Sequence, residues 1–186
     1  MLPLKPFYMI RHGESEANKE HVFAGHIDSP LTDLGRSQAE QARIILESLP
    51  IKPDLIAHSH LSRARDTALI MNRDLKIPMY EDPDLAEIFY GEQQGQTITE
   101  ENKTFIHTID PPGGETHEEF KNRILRGISN ALNKAELVLI TGHGGCFRSF
   151  GNIYVSELRG IKNAKLHYFE PAPQKSPMPW IITVCE

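Results

Sequence analysis

Residues 137–140 are apolar at every position, and the sequence Thr-Gly-His-Gly-Gly follows them directly at 141–145. A strand without polar positions must be covered on both faces, which is typical of a central strand in a parallel sheet. Other short apolar segments alternate with amphipathic helical patterns along the chain. This order favours parallel strands joined by right-handed crossovers. The sequence therefore predicts an α/β fold.

Five segments have the composition of strands, with apolar or alternating residues between turn-forming ones. The predicted strands are residues 7–10, 54–59, 137–140, 166–169 and 180–185. Residues 171–179 contain several prolines and predict a connector. Residues 83–114 carry prolines, glycines and acidic residues and predict a long surface excursion, with a short helix near 101–105. Long loops of this kind often carry function.

Four segments predict helices. The first begins after Thr32, an N-cap, and stops before Pro50. Its predicted buried face is Leu34, Ala39, Ala42, Ile45, Leu46 and Leu49. The second starts near Ser62, with a stripe of Ala64, Ala68, Met71 and Leu75. The third follows a capping box of Thr116 and Glu119 and buries Phe120, Ile124, Ile128, Ala131 and Leu132. The fourth covers residues 146–155.

Length and composition limit the classes of function. The chain of 186 residues fits one domain, residues 1–186. Its net charge of -5 repels nucleic acid and anionic membranes, so an anionic substrate would need local cations. No apolar run approaches the roughly 20 residues of a membrane span, and the first residues lack the pattern of a signal peptide. With only two cysteines, the sequence predicts a cytoplasmic protein.

Three polar residues lie at or just beyond the ends of predicted apolar strands: His12, Ser59 and His143. Ligands of open parallel sheets bind outside the carboxyl ends of the strands, so these residues are expected to meet in one pocket. Arg11 stands beside His12, and Arg63 lies one turn into the helix after the second strand. Two imidazoles and two guanidiniums in one pocket suit phosphate chemistry. Backbone N–H groups at the start of the last helix would favour an oxyanion.

Several sequence blocks together resemble the histidine phosphatase superfamily, the phosphoglycerate mutase-like group that carries an Arg-His-Gly motif. They occur in the family's order and cover almost the whole chain. The blocks are Arg11-His12-Gly13-Glu14-Ser15 with Asn18; Asp28-Ser29-Pro30-Leu31-Thr32 with Gly35, Gln38 and Ala39; Ser59-His60-Leu61-Ser62-Arg63-Ala64 with Thr67 and Ala68; Glu87; Pro112-Gly113-Gly114-Glu115; and Gly142-His143-Gly144-Gly145 with Arg148.

The resemblance implies a three-layer α/β/α sandwich around a mostly parallel sheet. It also implies a mechanism without metal or other cofactor, in which a phosphohistidine forms. By position, His12 would attack phosphorus, Arg11 and Arg63 would bind the phosphoryl oxygens, and His143 would stabilise their charge. This division suits the chemistry, because a neutral imidazole is the nucleophile and cations offset the charge on the oxygens.

The same resemblance assigns three further residues. Glu87 would protonate the leaving oxygen and later activate the water that splits the phosphoenzyme. Asn18 and the Gly144 backbone would add contacts to the phosphoryl group.

A metal site is an alternative use of two other histidines. His58 and His60 are spaced two apart on a strand, so both side chains would face the same way and could be metal ligands. We favour the metal-free interpretation, because no nearby pair of carboxylates completes a metal set.

Three functions remain to be distinguished: a phosphatase acting on a small phosphorylated metabolite, a mutase, and a phospho-ligand binding protein without turnover. Mutases of this family resemble one another in a longer, basic cover over the site. Residues 88–120 contain only one basic residue, Lys103, and are a poor cover for a bisphosphate. Gln94 is similar to the mutase form of its block, but the missing length favours the phosphatase. Phe89, Tyr90 and Trp180, if exposed, would suit either a homodimer contact or a pocket wall.

Overall fold

The computed structural model describes residues 2–154, 158, 161–175 and 177–186. Within these residues six strands and five α-helices form. The strands are β1 (Phe7–Arg11), β2 (Leu55–His58), β3 (Met79–Glu81), β4 (Val138–Gly142), β5 (Leu166–Pro171) and β6 (Trp180–Val184). The helices are α1 (Glu16–Lys19), α2 (Asp33–Ser48), α3 (Ser62–Met71), α4 (His117–Lys134) and α5 (Gly144–Ile153). Short 3₁₀ helices cover Pro83–Leu85, Gly91–Gln93 and Lys103–Ile106.

All six strands form one sheet in the order β3-β2-β4-β1-β5-β6. Strands β3, β2, β4 and β1 pair in parallel, and β5 and β6 add antiparallel partners at one side. Strand β4 lies between β2 and β1 and is buried at every position, as its apolar sequence predicts. The predicted α/β fold with a mostly parallel sheet is confirmed.

The two faces of the sheet bury separate hydrophobic clusters, because successive residues of a strand point to opposite faces. Phe7 and Met9 of β1 pack in the cluster that contains the apolar residues of α4 and α5. Tyr8 and Ile10 pack in the cluster that contains those of α2 and α3. The helices therefore cover both faces in a three-layer arrangement. Among the described residues, no helix is long and apolar enough to cross a membrane.

The predicted caps fix where two helices begin. The Thr32 hydroxyl accepts a hydrogen bond from the Gly35 N–H at 3.0 Å, at the start of α2. At the start of α4, the Thr116 hydroxyl accepts from the Glu119 N–H at 3.1 Å. The Glu119 carboxylate in turn accepts from the Thr116 N–H at 2.9 Å, which completes the predicted capping box.

The predicted buried face of α2 is wrong at one residue. Leu34 is 54% exposed, whereas Ala39, Ala42 and Leu46 are buried. Leu34 precedes Ala39 by five residues, which is about 140° around the helix axis. Gly35 takes the buried position instead, and a Cβ there would lie 1.9 Å from the Glu14 carbonyl oxygen. The loop after β1 thus packs directly on the first turn of α2.

Other boundaries also differ from the sequence-based ones. Helix α3 ends at Met71, although Leu75 still packs against the core beyond it. Helix α5 begins two residues early, at Gly144, and Val155 at its predicted end lies outside the described residues. The predicted short helix near 101–105 is the 3₁₀ helix Lys103–Ile106. Helix α1 and strand β3 were not predicted, because four and three residues are too short to show a periodicity.

The three aromatic residues considered for a dimer contact do not share one environment. Trp180 is only 3% exposed and donates its indole N–H to the Lys5 carbonyl at 3.1 Å. Tyr90 is 5% exposed and packs edge to face on Phe23. Phe89 alone is exposed, at 37%. Tyr90 and Trp180 are therefore part of the core and do not offer an exposed surface for a dimer contact.

Candidate active site

The pairing of β1 with β4 brings two histidines side by side. In this register Arg11 lies opposite Gly142, so the next residues, His12 and His143, leave neighbouring strands together. The His12 N–H donates to the Gly142 carbonyl at 3.0 Å. The two ring centroids are 5.1 Å apart at an interplanar angle of 63°. Two residues that are 131 positions apart thus lie side by side at the carboxyl edge of the sheet.

The His12 ring is held in one tautomer. Its Nδ1 lies 2.6 Å from the Gly13 carbonyl oxygen, which can only accept a hydrogen bond. Nδ1 therefore carries the proton, and Nε2 keeps a lone pair. Burial lowers the pKa of His12 well below its ordinary value of 6.5, and the charges of Arg63 and Arg11 lower it further. The ring is neutral at pH 7, as a nucleophile must be.

Two arginines reach the same site from different elements. Arg63, in the first turn of α3, is 1% exposed, and its Nη atoms donate to the carbonyls of Ile27 at 3.0 Å and Gly25 at 2.8 Å. Arg11, the last residue of β1, donates through Nη1 to the Ile161 carbonyl at 2.8 Å. Burial lowers the pKa of both guanidiniums and the charge of Glu87 opposes this. Arginine nevertheless stays charged in proteins, so both supply fixed positive charge.

His143 is completely buried at the N-terminus of α5. Burial lowers the pKa of its ring well below 6.5, and the charge of Arg63 is the next largest cause. Within the described part of the chain, neither ring nitrogen of His143 has a hydrogen-bond partner, and the same is true of Arg11 Nε. Because buried polar groups normally find partners, these nitrogens are suited to contact a ligand.

Glu87 lies beside the first turn of α5. Its Oε2 accepts from the Gly145 N–H at 3.1 Å, and its Oε1 accepts from the Ile88 N–H, also at 3.1 Å. Arg148 Nη2 is 3.8 Å from Oε1. A Cβ on Gly145 would lie 1.9 Å from Oε1, so only glycine leaves room for the carboxylate at this point.

Arg11, His12, Arg63 and Glu87 line one cavity of about 130 Å³ at the carboxyl edge of the sheet. His143 packs beside His12 and is not part of the cavity lining. This volume is below the roughly 300 Å³ of an ordinary small-molecule pocket, so the cavity suits a compact anion. Its lining includes three guanidiniums and one carboxylate, from Arg11, Arg63, Arg148 and Glu87. The local cations required for an anionic substrate are therefore present in a chain of net charge -5.

Asn18 and Gly144 also line the cavity. The Asn18 amide oxygen accepts from the Ser15 N–H at 3.3 Å and from Asn163 Nδ2 at 3.1 Å. The amide N–H groups of Asn18 are therefore the donors that it can offer to a ligand. Gly144 is the first residue of α5, where backbone N–H groups and the helix dipole favour an anion.

Residues 7–174 match the histidine phosphatase superfamily (branch 1). The chain belongs to this superfamily. The adenosylcobalamin/alpha-ribazole phosphatase of Salmonella typhimurium is 29% identical over 174 residues, which cover 87% of this chain and 83% of the relative. A 2,3-bisphosphoglycerate-dependent phosphoglycerate mutase of Parvibaculum lavamentivorans is 32% identical over 158 residues, which cover 76% and 75%. YhfR of Bacillus stearothermophilus has a similar structure, with a TM-score of 0.79, 26% identity and coverage of 97% and 96%.

These relatives place the chain among the phosphoglycerate mutase-like members of the histidine phosphatase superfamily. Both phosphatase and mutase names occur among them, and the phosphatase names support a histidine phosphatase. The resemblance on which the sequence-based expectations rest is thereby confirmed. The individual roles of the site residues remain proposals.

Two polar residues of the cavity were given no catalytic or phosphate-binding role from the sequence. Arg148, one turn into α5, approaches Tyr90, with Nη2 3.4 Å from the phenol oxygen. Tyr90 is nearly buried, and burial is the largest cause that raises the pKa of its phenol. Arg148 belongs to a block that the sequence displays, so its position four residues after Gly144 was a usable signal. Tyr90 was considered from the sequence for a pocket wall, and it does line this cavity.

The candidate metal pair at His58 and His60 is not brought together. His58 is buried, with Nδ1 2.9 Å from the Ser59 carbonyl oxygen, whereas His60 is exposed. Among the residues that the structure describes, no group of three His, Cys, Asp or Glu could hold a metal ion. The metal-free mechanism stays a prediction from the resemblance.

Proposed function

We propose that this protein hydrolyses phosphate monoesters through a covalent phosphohistidine on His12. The observation that carries this proposal is the fixed tautomer of His12. Its Nδ1 is held by the Gly13 carbonyl at 2.6 Å, and a neutral ring keeps the Nε2 lone pair for attack. Arg11 and Arg63 line the same cavity and would bind the oxygens of the phosphoryl group.

In the first step, the Nε2 lone pair of His12 forms a bond to phosphorus and the bond from phosphorus to the ester oxygen breaks. Glu87 donates its proton to that oxygen, so that the leaving group departs as an alcohol and not as an alkoxide. His143, Asn18 and the Gly144 backbone would stabilise charge on the phosphoryl oxygens. Nδ1 of His12 keeps its proton throughout.

In the second step, a water oxygen attacks phosphorus and the bond between phosphorus and Nε2 breaks. Glu87, now ionised, accepts one proton from the water. Inorganic phosphate leaves, and the neutral ring of His12 and the protonated Glu87 are restored. One carboxyl group therefore acts as acid and then as base, as microscopic reversibility requires.

The proposed substrate is a small phosphorylated metabolite. A second cavity of about 330 Å³ shares Ile106 and Arg148 with the phosphate cavity and would take the rest of the molecule. Phe120 and Ile88 give this second cavity an apolar wall, and Lys121 gives it a cation. The relatives named above act on an alpha-ribazole compound and on phosphoglycerates, so compounds of both kinds belong in a substrate panel.

Location and partners belong to the same proposal. The two cysteines and the net charge of -5 favour a cytoplasmic protein without a nucleic-acid or membrane partner. Phe89 is the aromatic residue left exposed for a homodimer contact. Sedimentation of the purified chain measures its oligomeric state directly.

The decisive experiment is to trap the phosphoenzyme. Wild-type protein is mixed with a radiolabelled aryl phosphate in the presence of a chelator and quenched in alkali, in which phosphohistidine is stable. We expect label on His12 in the wild type and none in His12→Ala. No label in the wild type, or equal label in both, would reject the enzyme and favour a phospho-ligand binding protein. If phosphoryl transfer between positions of a phosphoglycerate outpaces release of phosphate, the protein is a mutase.

A further inference from the structure

Arg123 of α4 uses every donor of its guanidinium within the protein. Nε and Nη2 each donate to a carboxylate oxygen of Glu115 at 2.7 Å. Nη1 donates to the carbonyls of Asp84 at 3.0 Å and Ala86 at 3.1 Å, and Nη2 also donates to the Glu87 carbonyl at 3.1 Å. A guanidinium has five N–H donors in a rigid fork. All five N–H groups have an acceptor within the protein. Three of these acceptors are the backbone carbonyls of Asp84, Ala86 and Glu87.

Glu115 extends the same arrangement. Its side chain and that of Arg123 are each 15% exposed, so the ion pair is largely shielded from water. The Glu115 N–H donates to the Phe89 carbonyl at 2.8 Å, and the Phe89 N–H approaches Glu115 Oε2 at 3.4 Å. The pair therefore holds the chain on both sides of Glu87, from residue 84 to residue 89.

The carboxyl group of Glu87 is placed by this backbone and by two hydrogen bonds of its own, because Oε1 also accepts from the Ile88 N–H at 3.1 Å. Oε2 accepts from the Gly145 N–H, while the Glu87 carbonyl accepts from Arg123 and from His26 Nε2, the latter at 2.8 Å. Neither Arg123 nor Glu115 lines the phosphate cavity. A misplacement of about 1 Å in a catalytic group can cost roughly a hundredfold in rate. The hydrogen bonds of Arg123 thus fix the backbone that carries the proton donor, although Arg123 itself does not contact the substrate.

We propose that Arg123, paired with Glu115, is a positioning residue that sets the Glu87 carboxyl for proton transfer to the leaving group. This inference rests on the proposed function. It assigns to Arg123 one step only, because the attack by His12 and the binding of phosphoryl oxygens use other residues. Loss of Arg123 should therefore slow the reaction most for substrates with a basic leaving oxygen, which must be protonated as it departs.

Two substrates of nearly equal shape separate this role from a general loss of structure. Phenyl phosphate has a basic leaving oxygen that needs a proton, whereas p-nitrophenolate leaves readily without one. The measured quantity is kcat/KM, which reports steps up to the loss of the leaving group and excludes the later attack of water. The variants are Arg123→Lys, which keeps the charge but loses the fork, and Glu115→Gln, which keeps the shape but loses the charge.

We expect each variant to lose about 10- to 100-fold in kcat/KM on phenyl phosphate and less than about threefold on p-nitrophenyl phosphate. Glu87→Gln should also lose kcat/KM selectively on phenyl phosphate, and by a larger factor. In the double variant Glu87→Gln/Arg123→Lys, the second change should add almost nothing on phenyl phosphate, because its effect acts through Glu87.

Arg126 is the matched control on the same helix. Its guanidinium pairs with the Asp84 carboxylate at 2.6 and 2.8 Å, so it contacts the same segment, but its side chain is 60% exposed. Arg126→Gln should keep both values of kcat/KM within about twofold, as expected for an exposed ion pair of small energy.

Equal losses on both substrates, or no loss on either, would overturn the positioning role. If Arg123→Lys does not fold, Glu115→Gln decides; if neither variant folds, the pair serves stability and the inference is rejected. Failure of the proposed function is distinct, because it appears in the wild type as the absence of phosphohistidine on His12. A labelled wild type with unselective variants would reject the inference and leave the phosphatase intact.

Discussion

At the scale of single residues, Gly145 is a position of the site that has no space for a side chain. A Cβ at this position would lie 1.9 Å from Glu87 Oε1 and 2.6 Å from Phe120 Cζ. Gly145→Ala should therefore displace the carboxyl group. Because a positioned general acid contributes roughly a hundred- to ten-thousand-fold in rate, we expect kcat/KM on phenyl phosphate to fall by about a hundredfold. Steady-state kinetics check this directly.

Cys146→Ala is the control for that substitution. Cys146 is the next residue of α5 and is fully buried, with Sγ 3.6 Å from the Leu85 carbonyl, and burial raises the pKa of its thiol to about 12. Its truncation removes core packing without entering the site. We expect a lower melting temperature with kcat/KM close to that of the wild type. If Gly145→Ala keeps full activity, Glu87 is not held where its proton is needed.

The sequence identifies the residues of this site that follow strands and misses those that act through the backbone. His12 and His143 each end an apolar segment, and the parallel pairing of β1 with β4 makes them neighbours. Arg123 follows no comparable pattern. Its partners are carbonyl oxygens of residues 84, 86 and 87, and every residue has a carbonyl, so no residue type marks them. Such contacts become visible only when the path of the loop is known.

At the scale of elements, the start of α4 depends on its capping box. Thr116→Ala removes the acceptor of the Glu119 N–H, which lies 3.1 Å from the hydroxyl. Loss of an N-cap hydroxyl costs about 1 kcal/mol, so we expect the free energy of unfolding to fall by about that amount in urea titrations. Thr116→Ser keeps the acceptor and should stay close to the wild type. Equal losses in both variants would show that the cap is not the cause.

Long elements could be predicted from the sequence and short ones could not. Helix α4 has 18 residues, a capping box and a continuous apolar face, and its start matches the prediction. Strand β3 has three residues and none of them is fully buried, so no periodicity distinguishes it from the surrounding loop. Its place at the edge of the sheet comes from pairing with β2, which is a tertiary interaction. The error at Leu34 has the same origin, because Gly35 is buried by contact with the loop after β1.

At the scale of the whole molecule, the lowered pKa values of the two site histidines make the free energy of unfolding depend on pH. His12 and His143 are buried beside Arg63 and Arg11, and both have pKa values well below 6.5 in the folded protein. In the unfolded chain, histidine titrates at about 6.5. As pH falls through this value, the unfolded chain binds protons that the folded protein does not bind. The free energy of unfolding must therefore decrease on acidification, and the loss stops only below the folded-state pKa values.

Each of the two rings can contribute a slope of up to about 1.4 kcal/mol per pH unit in that window. Urea unfolding at pH values from 7.5 downward measures the slope, and the comparison of wild type with variants isolates the share of each ring from that of the carboxylates. We expect His12→Asn and His143→Asn each to flatten the dependence of stability on pH below 6.5. Parallel curves for wild type and both variants would mean that the rings take up protons in the folded state. That result would contradict the lowered pKa of the two buried rings.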